Sequence, residues 1–138
     1  MYGQAVADFS RVIELAPHNA DAYFLRGQSR EALDNLTGAI ADYTKTLELT
    51  PKKADPYFYR GQVLARQDNW MGAISDYTKA IELDPANAAI YYQRGLARTE
   101  QADLEGTIAD YTQVIKLDPS WADAYYQRGI ALAEKGDL

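Results

Sequence analysis

The sequence has no cysteine and one histidine, His18. Without thiols there are no disulfides and no thiolate ligands, which leaves the redox compartment open. A single histidine builds neither a nucleophile dyad nor a zinc site, and His18 reads as a solvated loop residue between helices. No apolar run approaches ~18 residues, so nothing reads as a membrane span. Positive charge is scarce: 14 Lys and Arg against 20 Asp and Glu leave a net charge of −6. That balance argues against nucleic acid or an anionic membrane as the main partner. No signal peptide is visible, since Met1 leads straight into a helical pattern, and the cytoplasm is the default location. There is no glycine-rich phosphate loop, no H-E-x-x-H and no carboxylate pair placed for acid–base work. Neither catalysis nor a metal or cofactor is expected.

What the chain does have is a repeat. Pro17, Pro51, Pro85 and Pro119 fall 34 residues apart, as do Gly27, Gly61, Gly95 and Gly129, and Tyr23, Tyr57, Tyr91 and Tyr125. Ala5, Ala39 and Ala73 recur, with Thr107 in the fourth copy, as do Phe9, Tyr43, Tyr77 and Tyr111. A period of this length is the mark of a helix-turn-helix solenoid, in which each unit buries its apolar face on its neighbours. The hydrophobic fraction of 47% is ample for such packing.

Tyr57, Arg60-Gly61 and Leu64, then Ala73, Tyr77 and Pro85, sit at the spacings W-x2-L-G-x2-Y…A-x3-F…P. Over its whole length the chain resembles the tetratricopeptide repeat (TPR) family. Its Tyr-x-x-Arg-Gly and Asp-Tyr signatures are similar to the bacterial type of that repeat. The resemblance implies an all-α fold, a right-handed superhelical solenoid of antiparallel helix pairs.

In chain order, residues 2–15 form a helix with Val6, Phe9, Val12 and Ile13 on one stripe. Pro17 ends it, and Asn19 can cap the next helix. Hairpins follow at 20–33 with 37–49, 54–67 with 71–83, and 88–101 with 105–117, and a last helix covers 122–135. The array therefore divides into the second helix of a partial repeat (1–19), complete repeats at 20–53, 54–87 and 88–121, and the first helix of a partial repeat (122–138). A pattern that starts and stops inside repeats is what a fragment of a longer array shows. Asp34-Asn35, Asp68-Asn69 and Ala102-Asp103 are the turns, where Asp and Asn bond nearby amides and tolerate left-handed backbone. Gly61 and Ala73 are expected to let the paired axes approach, with Tyr57 and Tyr77 filling the wider gap, and Thr107 to loosen the third hairpin slightly.

Arg26, Arg60, Arg94 and Arg128 stand where the pattern has leucine, and Asp8, Asp42, Asp76 and Asp110 recur on the second helices. Folding each hairpin about its turn predicts the pairs Arg26–Asp42, Arg60–Asp76 and Arg94–Asp110, read as structural and half-buried rather than as a row of ligand-binding charges. Tyr23, Tyr57, Tyr91 and Tyr125 match the family's buried aromatic. Their neighbours Phe24, Phe58, Tyr92 and Tyr126 match a position that the family turns toward its concave groove. By the same resemblance Gln28, Gln62, Leu96 and Ile130 lie one turn on, with Tyr59, Gln93 and Gln127 beside them and Asp21, Asp55 and Asp123 at the edge. Aromatics interleaved with glutamines suit an extended or helical peptide; the other reading is that the rings only cover the next repeat. TPR domains that take the acidic C-termini of heat-shock chaperones use lysines, arginines and asparagines at groove sites occupied here by Phe24, Gln28, Tyr59, Ala89 and Gln93. That clamp is missing, and the acidic edges favour a ligand with apolar and basic residues.

The sequence thus reads as a non-catalytic scaffold for protein–protein interaction. Its rival is a self-assembling module that stacks head-to-tail through its half-repeat ends. In that arrangement Tyr125 and Arg128 of one molecule would meet Phe9 and Asp8 of the next, with Leu138 and Tyr2 both at the position of Leu36, Trp70 and Leu104.

Overall fold

The computed structural model describes residues 1–136. Among them are eight helices: α1 (Tyr2–Leu15), α2 (Ala20–Ala32), α3 (Leu36–Leu49), α4 (Ala54–Arg66), α5 (Trp70–Leu83), α6 (Ala88–Glu100), α7 (Leu104–Leu117) and α8 (Ala122–Lys135). No strand occurs among the described residues. The chain is an all-α TPR-like solenoid in which each helix packs on its sequence neighbours. Among the described residues no helix is long and apolar enough to cross a membrane.

The helix ends differ from the sequence-based spans by one residue, for a local reason. Leu33, Gln67 and Gln101 are C-caps rather than helical residues, while Leu36, Trp70 and Leu104 open the next helix. Between them the turn splits its labour. Asp34 and Asp68 take left-handed backbone at φ 60° and 59°, and Ala102 does so at φ 56°. Asn35, Asn69 and Asp103 then accept from the amides of Gly38, Gly72 and Gly106 at 3.0 Å, satisfying donors that the helix start leaves free. Asn19 caps α2 in the same way, from Ala22 at 3.0 Å.

Burial follows solenoid logic, since each apolar cluster joins two repeats. Tyr43 and Ala39 of α3 pack with Val63 of α4; Tyr77, Ala73 and Ala80 of α5 with Ile90 and Ala97 of α6; Tyr111 and Val114 of α7 with Ala124 of α8. The glycines serve these tyrosines. A Cβ on Gly61 would lie 2.7 Å from Cε1 of Tyr77, so Gly61 makes room for a ring rather than for close approach to Ala73. The clearance at Gly95 is 3.0 Å to Tyr111, the slightly looser fit of the third hairpin, where Thr107 replaces alanine.

Candidate functional site

Two systems run along the array: a chain of ion pairs and a row of open cavities on the first helices of the hairpins. In the first system each arginine grips its aspartate with two donors. Arg26 donates from Nε (3.0 Å) and Nη2 (2.7 Å) to Asp42, Arg60 from the same atoms (both 2.8 Å) to Asp76, and Arg94 (3.0 and 2.7 Å) to Asp110. The remaining Nη1 reaches back one repeat, to Ser10, Thr44 and Thr78 at 3.0–3.1 Å. Each guanidinium also lies over a tyrosine ring, Tyr23, Tyr57 or Tyr91, at 5.7–5.9 Å. The hydrogen bond to Asp42 holds Arg26 above its ordinary pKa against the opposing effect of burial, and Asp76 does the same for Arg60. With their donors engaged, these arginines are structural fasteners between helices and between repeats. Arg128 repeats the pattern with Thr112 (3.2 Å) and Tyr125 (5.7 Å) but meets no carboxylate among the described residues.

Sequence reading missed a second arm. Arg30 donates to Asp42 at 2.9 Å and Arg98 to Asp110 at 3.0 Å. The middle hairpin has Leu64 there instead, packed against its apolar cluster.

The second system contains two adjoining cavities. One, of about 330 Å³, is lined by Glu31, Gln62, Ala65, Arg66, Tyr77 and Gln93. The other, of about 400 Å³, has Trp70, Leu96, Ala65 and Ala97 as apolar wall and Gln93, Gln127, Thr99 and Glu100 as polar rim. Ala65 and Gln93 belong to both. Of the residues predicted for a groove, Gln62, Gln93, Leu96 and Gln127 are therefore brought together. Phe24 lines a separate cavity of about 200 Å³ with Asp21, Lys53 and Asp55.

The other predicted groove residues stand outside these two cavities. Phe24 packs on Tyr43 and Tyr59 (5.7 and 5.5 Å), and Phe58 on Tyr59 and Tyr77 (5.8 and 5.9 Å). Tyr92 stacks on Trp121 at 4.9 Å and donates to Asp123, which raises its pKa after burial. Gln28 is half-buried, and Tyr126 and Ile130 are exposed. A further cavity of about 450 Å³ surrounds Arg60 and Asp76, whose polar atoms are already paired.

Models of the TPR repeat match residues 67–101 and 95–136, and a model of the tetratricopeptide repeat matches 2–54. The chain belongs to the tetratricopeptide repeat family. No curated protein matches it in sequence. Its fold is similar to that of MamA (TM-score 0.94, 24% identity, 98% of this chain and 79% of that one). It is also similar to YrrB, described as a TPR protein with an unusual peptide-binding site (0.88, 24%, 98% and 70%). A third likeness is to the first TPR of Spaghetti (RPAP3), solved bound to the HSP90 peptide SRMEEVD (0.81, 24%, 85% and 93%).

Within this TPR array Glu31, Ala65, Arg66, Ala97, Thr99 and Glu100 are the cavity residues that sequence reading did not name, and Trp70 was named only as the counterpart of Leu36 and Leu104. The available signal was variation, not recurrence: Glu31, Ala65 and Thr99 occupy one position of the repeat and have nothing in common.

Proposed function

We propose that this TPR array is a non-catalytic scaffold that holds a protein segment across α2, α4, α6 and α8. The observation that carries the reading is the pair of adjoining cavities, one walled by Trp70 and Leu96, the other by Gln62, Gln93 and Glu31. An apolar side chain fits the first, and the carboxamides orient the ligand's polar groups. Glu31, Glu100 and the net charge of −6 favour basic over acidic ligands. The cationic clamp positions hold Phe24, Gln28, Tyr59, Ala89 and Gln93, so SRMEEVD is expected to bind far more weakly than an apolar, basic peptide. Trp70→Ala is expected to cost about 2 kcal/mol of affinity for a bound segment with helix content unchanged. Titration calorimetry with circular dichroism measures both; unchanged affinity contradicts the reading. The rings of Phe58 and Tyr92, truncated to alanine in the same assay, report whether they contribute contact or only packing.

A second reading has an observation of its own. Gly27, Gly61 and Gly95 each face a tyrosine ring, whereas a Cβ at Gly129 would meet nothing within 4 Å. Tyr125 is partly exposed beside it, α1 buries no residue fully, and Asp8 on α1 is exposed. We propose that α8 of one molecule receives α1 of another, Phe9 over Gly129 and Asp8 against Arg128, an open-ended contact that propagates. Leu138, the remaining residue of this contact, lies outside the described residues. Mass should then rise with concentration in sedimentation; charge reversal at Asp8 should lower it, and a second reversal at Arg128 should restore it. A constant monomer mass contradicts this reading.

A further inference from the structure

Tyr43, Tyr77 and Tyr111 occupy one position of the repeat and are all fully buried, but their hydroxyls fare differently. Tyr43 donates to Oε2 of Glu31 at 2.8 Å. One repeat on, Ala65 replaces Glu31, and the Tyr77 hydroxyl has no hydrogen-bond partner among the described residues. Tyr111 makes no bond of normal geometry. The Thr99 hydroxyl lies near enough to oppose the larger upward effect of burial on the Tyr111 pKa, and it donates to the Gly95 carbonyl at 2.9 Å. Buried hydroxyls are nearly always paired, and an exception calls for a physical cause.

For Tyr77 the surroundings supply one. Its ring is fixed against Phe58 and by the close fit at Gly61. Tyr77 forms part of the wall of the cavity bounded by Glu31, Gln62, Arg66 and Gln93. Its hydroxyl oxygen is itself buried, so a ligand reaches it only with a shift of the side chains that line this cavity. Burial, then Asp76 and Glu31, push the phenol above its ordinary pKa, so it stays a neutral donor. The acceptor it suits is a neutral one, since Glu31 stands in the same cavity and Arg66 is bonded to Asp34 at 2.7 Å. Gln62 and Gln93 each offer one carbonyl and one amide NH2, the complement of a peptide unit.

We propose that Tyr77, Gln62 and Gln93 form a subsite for a main-chain amide of the bound segment. The Tyr77 hydroxyl donates to its carbonyl oxygen, and an adjacent apolar side chain enters the Trp70–Leu96 cavity. This rests on the scaffold reading above and adds to it the group recognised. The first hairpin carries no such subsite, because Glu31 occupies the hydroxyl of Tyr43.

Short peptides displayed on phage and selected on the wild-type protein provide the probe. The tightest one is titrated against wild type, Tyr77→Phe, Tyr43→Phe, Trp70→Ala, Leu96→Ala and Ala65→Glu, with thermal unfolding run on each. Tyr77→Phe should weaken binding by about tenfold, the loss of one buried hydrogen bond, without lowering the unfolding temperature. Tyr43→Phe should leave affinity unchanged. Ala65→Glu, which gives Tyr77 the partner that Glu31 gives Tyr43, should abolish binding and raise the unfolding temperature. Equal affinity of wild type and Tyr77→Phe, for a peptide that Trp70→Ala and Leu96→Ala weaken, overturns the subsite and leaves the scaffold reading standing. A peptide indifferent to Trp70→Ala and Leu96→Ala overturns both.

Discussion

The first hairpin, α2–α3, and the middle one, α4–α5, share one backbone plan and diverge at two consecutive positions of their first helices. Where the first has Arg30 and Glu31, the middle has Leu64 and Ala65. In the first, Asp42 is held by two arginines and the Tyr43 hydroxyl by Glu31. In the middle, Asp76 has Arg60 alone and the Tyr77 hydroxyl has no partner among the described residues. The third hairpin restores the second arginine as Arg98, so at the ion pair the middle is the exception. Leu64 adds apolar contact there while Ala65 leaves a cavity. Two substitutions on one turn of helix thus change what a repeat pairs and what it leaves unpaired, with its fold unaltered.

The largest expected effect lies at the aspartates. Asp42→Asn strands two arginines and Asp76→Asn one, so both should destabilise by roughly 3–5 kcal/mol, Asp42→Asn at the upper end. Denaturant midpoints measure the order, and a larger loss for Asp76→Asn would break the comparison. Converting the first hairpin toward the middle one with Arg30→Leu should cost less, about 1.5–3 kcal/mol, the worth of a charged hydrogen bond.

The glycines are the internal control, because here the two hairpins agree. An added Cβ at Gly27 or Gly61 meets Tyr43 or Tyr77 at the same 2.7 Å. Both Gly→Ala variants should lose about 1–3 kcal/mol by overpacking, and equally. Gly129→Ala, with nothing within 4 Å, should instead gain up to about 1 kcal/mol from helix propensity.

The same comparison shows where a sequence is legible. Helix spans, caps and the Arg60–Asp76 pairing follow from period and turn chemistry, since the side chains involved recur every 34 residues and point along one axis. Ser10, Thr44, Thr78 and Thr112 recur equally, but their bonds to arginines 16 residues later cross from one repeat to the next, and that packing angle is written in no local pattern. The cavities are harder still. Trp70 shares its place with Leu36 and Leu104 and reads as packing; only the superhelical stacking of α4, α6 and α8 turns it into the wall of a cavity. The Tyr77 hydroxyl is invisible to periodicity because what distinguishes it is the residue missing opposite, Ala65 for Glu31.

The smallest expected effect bears most directly on the central claim, that the middle hairpin leaves a buried polar atom unpaired where the first pairs it. Thermal and urea unfolding of Tyr43→Phe and Tyr77→Phe, compared side by side, decide it. Tyr43→Phe should lose about 1–2 kcal/mol with its bond to Glu31, and Tyr77→Phe should be neutral or slightly more stable. An equal loss in both variants would mean that the Tyr77 hydroxyl is satisfied within the fold, and would contradict the account.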